Sequence, residues 1–123
     1  MATTTMIPRD RLADYFEDFT KHFLQGGATE EVDVEVLSPD MGDQYLAEGV
    51  QLMGITYDSN ANSLELELDS GDHRIEEPKE VWTIEETDGF VSTIEVVRQD
   101  STKEIVKIRR GGARPEDEDD QER

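Results

Sequence analysis

Five groups of residues in this chain have types and spacing that could do chemistry. Asp58-x-Asn60-x-Asn62, with Asp69 at loop position twelve, has the ligand spacing of an EF-hand calcium loop. Such a loop needs a glycine at its sharp turn and a bidentate glutamate at its end. Here Ser63 and Asp69 occupy those positions and the flanks read as strands, so the segment is expected to be a polar hairpin turn. His73 follows Asp72 and precedes Arg74. A histidine oriented by a carboxylate can act as a general base, but the sequence places no serine, cysteine or second ligand to use it. His22 lies near the end of a helical stretch, where a partial positive charge is favoured. Glu65 with Glu67, and Glu85 with Glu86, are paired carboxylates of the kind that share acid–base work only when a cleft separates their pKa values. On alternating strands they are expected on the solvated face. The last group is Arg109-Arg110 with Lys103 and Lys107, too few cations for a nucleic-acid stripe in a chain of net charge −19. It is expected to pair with a neighbouring acidic strand or to guard an edge strand.

Trp82, the single tryptophan, shares a strand parity with Ile84 and is expected in the core, with a recognition anchor as the alternative. No catalytic constellation, cofactor motif or metal-ligand pattern emerges, and the chain has no cysteine for a thiolate site. The candidate functional surface is His73, Arg74 and Trp82.

The elements that must position these residues follow from periodicity. Leu12, Tyr15, Phe16, Phe19 and Phe23 recur at one face of a helix expected over residues 9–25, opened by Pro8 and stopped by Gly26-Gly27. Everything after it reads as strand. Glu31-Val32-Asp33-Val34-Glu35-Val36 and Leu64-Glu65-Leu66-Glu67-Leu68-Asp69 alternate cleanly. A longer strand over 45–57 slips register at Gly54, which predicts a bulge. Further strands are expected at 81–85, 91–98 and 103–109, with turns at 58–62, Gly71-Asp72 and Thr87-Asp88-Gly89. The expected fold class is α+β: an N-terminal amphipathic helix packed on a strongly bent antiparallel sheet or small open barrel of about six strands. Residues 1–7 read as a flexible lead-in, 8–110 as one domain, and 111–123 as a disordered acidic tail.

Charge bounds the setting. The chain has 31 acidic and 12 basic residues in 123, and arginine outnumbers lysine eight to four. About −4 belongs to the tail and about −15 to the body. Spread over a surface on the order of 6,700 Å², those charges sit roughly 20 Å apart, beyond the Debye length of about 8 Å at physiological salt. Three readings stand: adaptation to a salt-loaded cytoplasm, ordinary acidity, or an acidic mimic of nucleic acid. No apolar run is long enough to span a bilayer, and the N-terminus lacks a signal-peptide pattern. These features predict a soluble cytoplasmic protein that binds neither membrane nor nucleic acid.

Ile7-Pro8-Arg9-Asp10 before the aromatic helix, Val34-Glu35-Val36-Leu37, the run Gly49-Val50-Gln51-Leu52-Met53-Gly54-Ile55-Thr56-Tyr57-Asp58, His73-Arg74-Ile75-Glu76-Glu77-Pro78 and Ile94-Glu95-Val96 together resemble a bacterial family filed as domain of unknown function five-three-three-five. The resemblance covers about residues 7–109. It implies a small soluble bacterial domain and carries over no catalytic residue. Members often have tryptophan early in the helix, where this chain has Leu12. The expected function is a non-enzymatic interaction or accessory domain with an unidentified protein partner, as monomer or weak homodimer. The alternatives are an enzyme or small-molecule binder with a barrel-mouth pocket near His73 and Trp82, and the acidic mimic.

Overall fold

The computed structural model describes residues 2–24 and 30–109. The expected helix stop at Gly26-Gly27, Arg110 and the acidic tail lie outside the described residues.

Strand β1 (Thr3–Ile7) opens the chain and is followed by a 3-10 turn (Arg9–Arg11), helix α1 (Leu12–Phe19) and one π-helical turn (Thr20–Leu24). Seven strands follow: β2 (Glu30–Ser38), β3 (Gly42–Asp58), β4 (Ser63–Leu68), β5 (His73–Glu76), β6 (Pro78–Glu85), β7 (Val91–Arg98) and β8 (Lys103–Arg109). They form one eight-stranded sheet in the order β1-β6-β7-β8-β2-β3-β4-β5, every neighbouring pair antiparallel. The α+β class and the bent sheet are as the sequence implies.

Two strands were not expected. The lead-in assigned to residues 1–7 is corrected: Thr3-Thr4-Thr5 are β-branched strand formers, and Thr3–Ile7 pair along β6 from Thr3↔Glu85 to Ile7↔Val81. The short β5 completes the far edge, with Ile75 opposite Leu64.

The sheet curls because β3 serves two partners. Its first part pairs with β2 and its second with β4, and the handover falls at a bulge between Leu52 and Gly54, at the expected register slip. The extra residue, Met53, is half-exposed. A second irregularity near Val34 lies where Gly49 takes a positive φ of 64°. The Asp33 carboxylate accepts the Gly49 N–H there at 2.8 Å.

The helix packs across the concave face. Leu12, Phe16 and Phe19 are buried in one core cluster with Leu52, Ile55, Leu66, Ile94 and Val106, and β3 is the strand the helix chiefly touches. Phe16 stacks edge-on with Tyr15 and Phe19. Beyond Leu52 the β2 side of β3 has no strand partner among the described residues. Thr20 fills that role: its hydroxyl donates to the Ile55 carbonyl and accepts the Ile55 N–H, each at 3.1 Å. This substitution of a hydroxyl for a strand coincides with the switch from α- to π-helical winding.

Candidate functional site

The candidate residues do not converge. His73 and Arg74 are adjacent on β5, so their side chains take opposite faces. Ile75 is buried, which puts His73 on the concave face and Arg74 outside. Arg74 lies over the buried Ser63 hydroxyl, donating from Nε at 3.3 Å and Nη2 at 3.2 Å, and pairs with Glu76. Trp82 lies on the outer face as well, far across the sheet on β6, and its indole N–H donates to Glu80 at 3.0 Å. The expectation of a core tryptophan is corrected. Val81 and Thr83 are buried, as is Pro78 at the start of that strand, and Trp82 and Ile84 are half-buried on the other side. Thr83 and the Tyr15 hydroxyl are hydrogen-bonded partners on the inner side. Burial of the Tyr15 ring raises its pKa above the ordinary phenol value, so the group stays neutral.

His73 does find a carboxylate, but not Asp72. Its Nε2 lies 2.7 Å from Glu104 Oε1 on β8. The two strands are separated by β2, β3 and β4, about 19 Å apart in a flat sheet. Only a tightly curled sheet brings them into contact. Glu104 is 1% exposed. Its second oxygen accepts Nη1 of Arg98 at 3.1 Å, and Nη2 of Arg98 reaches Asp100 at 3.1 Å. The Asp100 carboxyl is held below the usual range, first by the backbone N–H of Thr102 and then by Arg98. The result is a chain of contacts, Asp100–Arg98–Glu104–His73, that runs from the exposed Asp100 to the buried Glu104. Both Glu104 oxygens are occupied, and no hydroxyl is bonded to the imidazole among the described residues. The arrangement ties β5, β7 and β8 together through side chains.

Glu104 was not singled out from sequence, although its parity carries the signal. Val106 and Ile108 are buried, and Glu104 stands two residues before Val106 on the same face. His73 is likewise two residues before Ile75.

The other candidates resolve as turns and surface. The Asp58 carboxylate accepts the N–H groups of Asn60 and Ala61, and Asn62 accepts the Tyr57 hydroxyl at 2.7 Å. Asp69 is turned away to the Gln51 N–H at the other end of β4. The segment is thus a hydrogen-bonded turn. Among the described residues no group of three or more His, Cys, Asp or Glu could hold a metal ion. His22 is exposed, with Nδ1 2.9 Å from the Asp18 carbonyl. Glu65 and Glu67 are exposed on the outer face.

That outer face has its own order. Cross-strand pairing sets Met6, Trp82, Glu95, Ile105, Glu35 and Tyr45 in one continuous row from β1 to β3. The outward cations of β8 are all paired: Lys103 with Glu95, Lys107 with Glu35, and Arg109 with Asp33 at 3.0 Å. Arg109 thus bonds to an acidic neighbour, and β8 is an interior strand rather than a guarded edge.

Glu35 is the strained member of this row. Its pKa is raised, first by a hydrogen bond with Asp43, then by burial and by repulsion from the Asp43 charge, with Lys107 opposing. A carboxyl raised in the folded state contributes stability that is complete below its unfolded pKa and is lost as pH rises through the folded value. Asp43→Asn removes the like charge. It is expected to raise the melting temperature at pH 7 and to leave it unchanged below pH 4; an equal shift at both pH values contradicts this account.

Comparison with known proteins agrees with the sequence resemblance. An uncharacterized protein of Aquifex aeolicus (strain VF5) is 35% identical over 107 residues, covering 86% of this chain and 92% of that protein. No solved structure matches. No helix among the described residues is long and apolar enough to cross a membrane. The model of the family of unknown function DUF5335 matches residues 3–117, and the chain belongs to that family.

Proposed function

We propose that this chain is a non-enzymatic interaction domain that binds a protein partner through the outer face of its sheet. The observation that carries this reading is the row from Met6 to Tyr45. In a chain of net charge −19, this is a face where the cations of β8 are each matched by an acid and where Met6, Trp82, Ile105 and Tyr45 surface together. Matched charges and partly exposed aromatic and aliphatic groups are what a partner can desolvate at modest cost. The concave interior offers less, because the helix packs across it and both oxygens of the buried Glu104 are already taken by His73 and Arg98.

The test is affinity capture at native salt with three baits. Wild type and His73→Ala should recover the same protein, and Trp82→Lys should lose it. Recovery undiminished by Trp82→Lys removes the outer face as the binding surface. A metabolite that raises the melting temperature, with no protein recovered, favours the small-molecule reading instead.

The acidity is read as adaptation to a salt-loaded cytoplasm. An acidic mimic of nucleic acid needs a line of unpaired carboxylates, whereas Asp33, Glu35 and Glu95 are paired with cations. Repulsion among the remaining acids is screened as salt rises, the Debye length shrinking to about 3 Å at 1 M. The melting temperature should therefore climb between low and molar potassium chloride; a flat or falling curve rejects salt adaptation.

A further inference from the structure

The sheet has two edges, and they are built differently. Edges are normally blunted by short length, charge or proline, because a bare edge is a template for another strand. At one end β5 has four residues and carries Arg74 and Glu76. At the other, β1 is five residues long, exposed from Thr3 to Met6, and has no charged residue at all. In a chain that is 35% charged, the edge most in need of charge has none.

Three further observations concern this edge. A groove of about 250 Å³ lies beside it, lined by Met6, Ile7 and Tyr15 together with Arg11, Asp14 and Asp18. Arg9 and Arg11 stand just past the end of β1, and neither makes an ion pair among the described residues despite the excess of acid. Glu85, opposite Thr3 at the other end of the strand, is exposed and likewise has no ion pair there.

We infer that β1 pairs antiparallel with β1 of a second copy, joining the two sheets edge to edge across a two-fold axis at Thr5. This register places Thr4 opposite the second copy's Met6, and Thr3 opposite its Ile7. Only threonine, methionine and isoleucine meet, and threonine pairs are favourable across antiparallel strands. The inward side chains of the added strand enter the groove. The outer row continues from Trp82 and Met6 to the second copy's Thr4 and Ile84. An antiparallel two-fold also brings the residues after Ile7 of one copy to the Thr3 end of the other. Arg9 and Arg11 of each copy then approach the other's Glu85. The contact is isologous, so the same arginine–glutamate approach occurs twice, once from each copy.

Dimerisation is read by mass and is independent of partner binding through Trp82, so either can fail alone. The full chain is examined by sedimentation equilibrium from low-micromolar to sub-millimolar concentration, in physiological and molar potassium chloride. Wild type should reach twice the 14.0 kDa chain mass. Thr4→Glu with Met6→Glu, both at exposed positions, sets like charges opposite one another and should give a monomer with an unchanged far-ultraviolet spectrum. Arg9→Glu should weaken association about tenfold or more, and adding Glu85→Arg should restore it. The Arg9 series decides the matter if the edge variant does not fold. A monomer under all conditions, a dimer indifferent to the edge variant, or a charge swap without rescue overturns the inference.

Discussion

Arg98→Ala is expected to lower stability by about 3 kcal/mol, near the bottom of the range for breaking a buried ion pair, because the arginine itself is partly exposed. The cost arises on the other side of the pair. Glu104 has a side chain only 2% exposed, and without Arg98 its charge keeps a single partner, His73. For a domain of this size such a loss corresponds to a fall in melting temperature of about 12–20 °C. Arg98→Lys should recover only part of it, since one ammonium cannot bridge Glu104 and Asp100 as the two Nη atoms do. Arg98→Met combined with Glu104→Leu should cost far less than Arg98→Ala, because no charge is then left buried alone. Urea melts of the four proteins check this. A cost below about 1 kcal/mol for Arg98→Ala would show that the cluster is solvated in solution and does not clamp the sheet.

The second large effect belongs to the helix. Phe16 is fully buried, and Phe16→Ala is expected to cost about 3–5 kcal/mol through lost transfer energy and the cavity left behind. Its edge-on contacts with Tyr15 and Phe19 go with it, at about 0.5–1.5 kcal/mol each. The variant also has a local readout. The Ile55 N–H is held by the Thr20 hydroxyl, which stays in place only while the helix is docked. Hydrogen exchange at Ile55 should therefore accelerate more than at Ile94, deep in the sheet. Equal acceleration at both would mean that the helix and sheet open together.

The elements were largely legible in the sequence because period and turn chemistry are local. The aromatic stripe of α1, the six longer strands and the bulge before Gly54 all follow from side-chain spacing. What was not legible depends on which face of a strand turns inward. Val81-Trp82-Thr83-Ile84 has apolar groups of both parities, so spacing alone does not choose a face; inside, Thr83 has the Tyr15 hydroxyl as a partner. Strand β5 is short and carries alternate charges, so it read as part of a turn. The His73–Glu104 contact is the extreme case. Each residue shares parity with a buried neighbour, and that much was visible, but their meeting depends on a curl that sums over five strands. No local pattern encodes that sum.

The order of strands in the sheet also governs how the molecule can be made. β2 pairs with β8, the last strand of the described chain, and β1 waits for β6. Pairings this distant in sequence close large loops before any contact rewards them, which places the protein among slow folders, on a scale of milliseconds to seconds. During synthesis, β2 to β5 can assemble as a meander while one flank of β2 stays bare until β8 emerges. Glu31, Asp33 and Glu35 then stand unneutralised along that flank, and Lys107 and Arg109 arrive with the strand that covers it. The nascent half-sheet is thus kept from its neighbours on the ribosome by the same carboxylates that later bind the final strand.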